Sequence, residues 1–337
     1  MIKYFQNRIA ESGLLLPLAA VITLGVWLLS GLVEHAWWGQ LVCFVVTTYL
    51  LVELSNSNAL LRVRSRMVSS TFLALSCASC PLLGSLPGGI VQLCTAAATI
   101  ILFRTYQDKE APGWNFYAFL CIGLSSLVFV QTLYFVPLVW LLMASHLQSL
   151  SWRSWIASLI GLLTPYWFAM LYFLYIQDFT PVVAHFSQLT QLPFPGSSLY
   201  NIHFSLISFY VLVLVLAITS AVHFWYRSFE DKIRIRQLFG FFITMSFFVL
   251  LMLALQPQHF DMLMRMLLVF VSPLIAHFFT TTSSKLTNVF FIVTLVLVSL
   301  LTVFHLISPL LDIIPFPLTP SHFSLFPFPS FSLWSGL

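Results

Sequence analysis

Residues 287 to 304 read TNVFFIVTLVLVSLLTVF, a stretch with no charge and with apolar side chains on every side of any helix they form. A strand of a membrane barrel would alternate apolar and polar positions over roughly ten residues, and this stretch does not alternate. It approaches the roughly 20 apolar residues that a helix needs to cross a hydrocarbon core of about 30 Å. Similar stretches follow one another along the chain. Of its 337 residues 60% are hydrophobic and 7% are charged, against about a quarter charged in soluble domains. A soluble fold cannot bury that much apolar surface, so the expected fold is an all-α polytopic transmembrane helix bundle.

Spans are expected at 13–33, 40–54, 67–84, 90–103, 114–131, 133–150, 154–177, 203–226, 237–255, 262–281 and 287–310. That makes about eleven, within a range of roughly ten to twelve. The stretches 40–54 and 90–103 are short for a bilayer, so neighbours are expected to extend them or leave them partly re-entrant. The N-terminal run has a basic start but is near 20 residues long with no A-x-A-like site after it, and it reads as a retained first span rather than a leader. Residues 1–310 are expected to form a single transmembrane domain. The Phe-, Pro- and Ser-rich tail 311–337 has no helical periodicity and is expected to be external, lying at the outer membrane–water boundary or poorly ordered.

The charges fix an expected orientation. If the N-terminus is inside, the cytoplasmic segments hold Lys3, Arg8, Arg62, Arg64, Arg66, Arg104, Lys109, Arg153, Arg227, Lys232, Arg234, Arg236 and Lys285, leaving Arg265 as the one external cation of 14. Short cytoplasmic loops carry such an excess, and an odd number of spans then puts the C-terminus outside. The net charge of +4 reflects this threading and gives no case for a nucleic-acid partner. No loop reaches the roughly 50 residues of a soluble catalytic domain; the longest internal one, 177–201, is expected on the outer side.

Outer polar residues are few. In QHFDMLMR (258–265), Asp261 and Arg265 are four apart and share a helix face within ion-pair reach. An arginine inside a span needs a partner or a polar cavity. The pattern fits either a helix-start salt bridge beside an interfacial His259 or a site for an anionic headgroup or substrate. Glu34 precedes HAWWG and reads most simply as a turn with a Trp belt. A functional version gathers Glu34, Asp178, His259, Asp261 and Arg265 around one outward cavity. On the inner side, Arg62, Arg64 and Arg66 serve either as topological anchors or as contacts for lipid phosphates. RSFEDKIRIR (227–236), mixed in sign, reads as a solvated loop.

Other motifs are weaker. CASC (77–80) is a C-x-x-C inside an apolar helix rich in small residues, which points to helix packing rather than thiol or zinc chemistry. All five cysteines lie in apolar runs, where a disulfide framework is not expected. The nine histidines show neither H-E-x-x-H nor H-x-x-x-H, and no metal site is expected. Walker A, GxGxxG and G-x-S-x-G patterns are absent, so no cofactor is implied. Pro137, Pro165 and Pro273 interrupt spans, as prolines do both beside transport paths and in membrane helices generally.

Four segments taken together carry a resemblance: ELSNSNALLRVRSRMVSSTFLAL (53–75), FRTYQDKEAPGWNFYAFLCIGLSSLVF (103–129), SLSWRSWIASLIGLLTPYWF (149–168) and LLVFVSPLIAHFF (267–279). The chain resembles, from about residue 40 to 300, an uncharacterised bacterial polytopic inner-membrane protein family of unassigned function. That resemblance implies a bacterial cytoplasmic membrane location and supplies no catalytic residues. The sequence then leaves three functional expectations. The first is an envelope transport or binding protein for a lipid-linked or anionic substrate. The second is a non-catalytic subunit of an envelope assembly machine with a protein partner. The third is a membrane-embedded transferase acting on polyprenyl-phosphate-linked sugars, with Glu34 or Asp178 as base. In each, membrane lipids are partners.

Overall fold

The computed structural model describes residues 4–63, 65–190 and 204–313, all of whose regular structure is helical. Seven helices are long and apolar enough to cross a membrane: α3 (Trp38–Asn58), α5 (Leu86–Arg104), α8 (Trp152–Ile176), α10 (Phe204–Arg227), α11 (Ile233–Leu255), α12 (Phe260–Thr281) and α13 (Lys285–Ile313). An eighth candidate is the pair α1 (Phe5–Glu11) and α2 (Leu15–Leu29), bent by 91°. The chain is a multi-pass membrane protein. Large apolar side chains such as Leu18, Trp167, Tyr175 and Leu300 are exposed along these helices, as expected where lipid replaces water as solvent.

The short members of the bundle are not the ones expected. The stretch expected at 40–54 extends to 21 residues, because the polar run ELSNSN remains helical to Asn58. The stretch expected at 90–103 begins at Leu86: Pro87 sits in its first turn, where its missing N–H costs nothing, and Ser85 accepts the Gly88 N–H as a cap. The short elements are α4 (Met67–Ala78), α6 (Pro112–Val128) and α7 (Phe135–Ser145), flanked by 3-10 turns at Cys80–Leu82 and Val130–Tyr134. Eleven of the twelve residues of α4 are buried, so protein rather than lipid surrounds its ends. Non-helical backbone at membrane depth is tolerated under that condition.

Burial orders the bundle. Seventeen of the 22 residues of α12 are buried, which makes it the central helix, packed against α4, α5, α10 and α11. At the other extreme, α8 buries only Ser154, Ser158, Gly161 and Pro165, a stripe at three- and four-residue spacing that faces α6. Gly161 is obligatory there, since a Cβ at that position would collide with the Phe116 carbonyl oxygen. Small residues at such a crossing let two backbones approach, the usual basis of helix association in lipid.

Polar contacts between the connecting segments fall into two separate sets. On the N-terminal face, Ser65 Oγ donates to the Ala10 carbonyl, and Gln6 Nε2 donates to the Thr282 carbonyl at 2.5 Å. Arg62 reaches Asp231 at 2.7 Å, Arg234 donates to Asn58 at 2.9 Å, the Gln107 N–H donates to the Leu147 carbonyl at 2.8 Å, and Ser151 donates to the Lys109 carbonyl at 3.0 Å. On the opposite face, Gln40 donates to the Gly84 carbonyl at 3.1 Å, Gln131 meets His259 at 2.8 Å, and His305 lies 2.9 Å from the Ala78 carbonyl. No hydrogen bond or ion pair among the described residues joins one set to the other.

The segment expected as a bare outer loop at 177–201 contains a helix, α9 (Thr180–Thr190). It is anchored on the same face as His259: His185 lies 3.0 Å from the Ser126 carbonyl and Tyr134 donates to the Leu189 carbonyl at 2.5 Å. Its Pro-rich remainder, Arg64 and most of the 311–337 tail lie outside the described residues.

Candidate functional site

The group expected on the outer side is built from the start of α12. Asp261 stands in its first turn, where a negative side chain suits the helix dipole. Four residues on, Arg265 donates from Nε to Asp261 Oδ1 at 2.9 Å. The two side chains differ in burial: Arg265 keeps 6% of its side-chain surface and Asp261 keeps 28%. The guanidinium is therefore enclosed and its counter-ion forms the rim.

What encloses it is the start of α5. A Cβ on Gly88 would lie 2.7 Å from Arg265 Cδ and Nε and 2.9 Å from Asp261 Oδ2, so only glycine leaves room for the ion pair. Gly89 faces Arg265 Nη1 across an ordinary contact, and Gln92 donates to the Arg265 carbonyl at 3.4 Å. Arg265 Nη2 is buried without a hydrogen-bond partner. A guanidinium has five donors and buried ones are normally satisfied. One unmatched arm beside a partly exposed carboxylate leaves a charged donor without an acceptor, a role that a carboxylate or phosphate oxygen fills.

The remaining expected residues make bonds of their own. His259, at the N-terminal boundary of α12, turns to Gln131 and packs edge-on against Phe129 with ring centroids 5.2 Å apart. Asp178 accepts the Thr180 N–H at 2.9 Å, and its hydrogen bonds from Thr180 hold the carboxyl below its ordinary range. Glu34 is exposed in the turn after α2, where His35 stacks on Trp37 at 5.0 Å. No hydrogen bond or ion pair joins Glu34 or Asp178 to Asp261, Arg265 or His259. Asp261 and Arg265 form one unit, and neither Glu34 nor Asp178 is bonded to it.

The segment 227–236 is not uniformly solvated. Arg227 and Glu230 are exposed and pair at 3.0 Å, but Asp231 is buried and faces His277 of α12 at 3.2 Å. Arg62 closes the group, reaching Asp231 at 2.7 Å and Glu230 at 2.8 Å. Burial raises the Asp231 carboxyl, but the contacts with His277 and Arg62 override it and hold the group below the ordinary carboxylate range. Arg62 is thus committed to carboxylates, whereas Arg66 stays exposed beside α4. The sequence carried one signal for this group: His277 sits in the apolar run SPLIAHFF, and an ionisable residue there needs a partner.

A cavity of about 30 Å³ lies between α5, α6, α7, α11 and α12, lined by Thr95, Thr99, Ser125, Thr132, Met266 and Phe270 among others. At roughly 10 to 15 Å³ of probe volume per molecule it admits about two waters. A larger, open hollow of about 400 Å³ lies on the N-terminal face beside Asp108, Glu110, Trp114 and Tyr117. Cys77 is buried in α4, with its Sγ 3.3 Å from Thr23 Oγ1, and Cys80 is buried in the following turn. Among the described residues no three His, Cys, Asp or Glu side chains stand where they could hold a metal ion. No family model, no curated protein and no solved structure matches the chain.

Proposed function

We propose that this chain is an envelope transport or binding protein of the bacterial cytoplasmic membrane, taking an anionic or lipid-linked substrate at the Asp261–Arg265 end of α12. In this reading the chain crosses the membrane eleven times, the N-terminus is cytoplasmic and Asp261 faces outward. The bias of 13 cations among 14 toward one set of connecting segments supports that orientation. The separation of the polar contacts into two faces supports the alternation through the short helices α4, α6 and α7.

The observation that carries the functional reading is the unmatched Nη2 donor of a buried Arg265 beneath a partly exposed Asp261. Such a donor costs about 1 to 3 kcal/mol while unmatched, and an anionic oxygen recovers that cost. The transferase alternative lacks comparable support, since neither Glu34 nor Asp178 is bonded to the buried cation. The small volume of the interior cavity between α5, α6, α7, α11 and α12 supports the non-catalytic subunit as second reading, in which the same arginine would meet an acidic group of a partner.

The test uses full-length protein in lipid nanodiscs and polyprenyl phosphate as probe, with native mass spectrometry as readout. Arg265→Gln is expected to retain at least tenfold less probe than wild type, and Arg66→Gln to retain as much as wild type. Equal retention by Arg265→Gln and wild type would end the reading. Labelling of a cysteine placed at position 234 from outside intact cells would end the proposed threading independently.

A further inference from the structure

A second buried ionisable group lies on the same central helix, and the anion site makes no use of it. His277 is 2% exposed, and the Asp231 side chain that faces it is 1% exposed. Asp231 Oδ2 and His277 Nε2 lie 3.2 Å apart, and neither has a hydrogen-bond partner elsewhere. Two lone pairs facing at that separation in a dry site repel, so one proton belongs between them. The other oxygen, Oδ1, accepts from Arg62 Nε at 2.7 Å. That arginine keeps 37% of its side-chain surface and extends a second arm to Glu230 at 2.8 Å.

A carboxylate buried this deeply is costly unless a cation stands beside it. Two candidates are in place. Arg62, always charged, approaches from the rim and has an alternative acceptor in Glu230. His277 approaches from the interior and is a cation only when both ring nitrogens carry protons. With Arg62 on Oδ1, a neutral imidazole donating from Nε2 is sufficient. With Arg62 turned wholly to Glu230, Asp231 lacks a counter-ion until the imidazole takes up a second proton.

The geometry points to a proton-binding site at His277 on the N-terminal face, in which the proton and Arg62 are alternative counter-ions of Asp231. Binding of one weakens the hold of the other, and by linkage the effect is reciprocal. Uptake of a proton therefore loosens the tie between the segment at Arg62 and the turn at Glu230–Asp231. The charged and titratable groups facing the site are Asp231, Arg62, Glu230, Arg227 and His223. The rings of Phe224 and Phe239 flank the imidazole with centroids 5.3 Å and 4.6 Å away, which limits water around it. The site stands whether or not Arg265 holds an anion.

The test is an infrared titration of full-length protein in nanodiscs, carrying ring-labelled histidine, with the His277 contribution isolated by subtracting His277→Gln. Wild type is expected to show a titrating His277 signal. Asp231→Asn is expected to lower its proton affinity about tenfold, and Arg62→Gln to raise it about tenfold, one pKa unit in each case. A His277 signal that takes up no proton across the range in which the protein stays folded overturns the proposal, as does an affinity unchanged by Arg62→Gln. If Asp231→Asn does not fold, Arg62→Gln, altered at a half-exposed position, decides the question by itself.

Discussion

At one end of α12 a buried cation is matched by a carboxylate on its own helix, four residues away; at the other, a buried carboxylate is matched by side chains from two other segments. The Asp261–Arg265 pair forms as soon as the helix does, and its position in the bundle then depends on Gly88 leaving space. The Asp231 group exists only after α11, α12 and the segment before α4 have come together. The first is therefore a fixed feature, whereas the second can rearrange, because its rim arginine already divides itself between two acceptors.

The largest effect is expected where the local pair is broken from one side. Asp261→Ala leaves the Arg265 guanidinium enclosed with no counter-ion, a loss of roughly 3 kcal/mol, at the low end for buried pairs because Asp261 is itself partly exposed. Arg265→Met removes the buried charge and keeps much of the volume, and is expected to cost under about 1.5 kcal/mol. Thermal unfolding in nanodiscs measures both. Equal destabilisation by the two would mean that Asp261 and Arg265 are held for packing rather than for charge.

A smaller effect separates the Asp231 group. The Glu230 carboxyl is held low first by its hydrogen bond to Arg62, and Asp231 is held low against its own burial. Groups with depressed pKa contribute stability above the ordinary carboxylate range, near pH 4, and lose it as pH falls through their folded values. Arg62→Gln is expected to cost about 1 kcal/mol at neutral pH, given the exposure of the arginine. It is also expected to move the onset of acid unfolding to higher pH than in wild type. An acid limb that does not move would show that Arg62 contributes nothing to holding those carboxyls.

How much of this was readable in the sequence follows from the same contrast. Asp261 and Arg265 were legible because a helix turns spacing into contact, and i to i+4 is a contact by geometry. Asp231 was not, since RSFEDKIRIR has the composition of a solvated loop and nothing local says that one of its two acids folds under α12. Helix ends failed for a related reason. Hydropathy marks apolar runs, but Ser85 and Pro87 start α5 through capping chemistry, and ELSNSN continues α3 despite its polarity. The length of α4 could not be read either, because burial by neighbours rather than its own composition allows a 12-residue helix to stand in the bundle.

Glu34 and Asp178 give the smallest expected effect, and the comparison needs them as its control. Asp178 is fully exposed, and its contact is local: it accepts the Thr180 N–H and caps the start of α9, a helix with no buried residue. Removing a cap frays the turn it satisfies, and tertiary packing cannot transmit the loss where no side chain is enclosed. Asp178→Asn is therefore expected to leave thermal unfolding and probe retention at wild-type levels. Asparagine caps nearly as well as aspartate, so amide exchange at residues 180–183 is also expected to change little, whereas Asp178→Ala accelerates it at those residues alone. A drop in polyprenyl-phosphate retention in Asp178→Asn would instead tie α9 to Arg265, and the proposed anion site would then extend across the face that His185 and Tyr134 anchor.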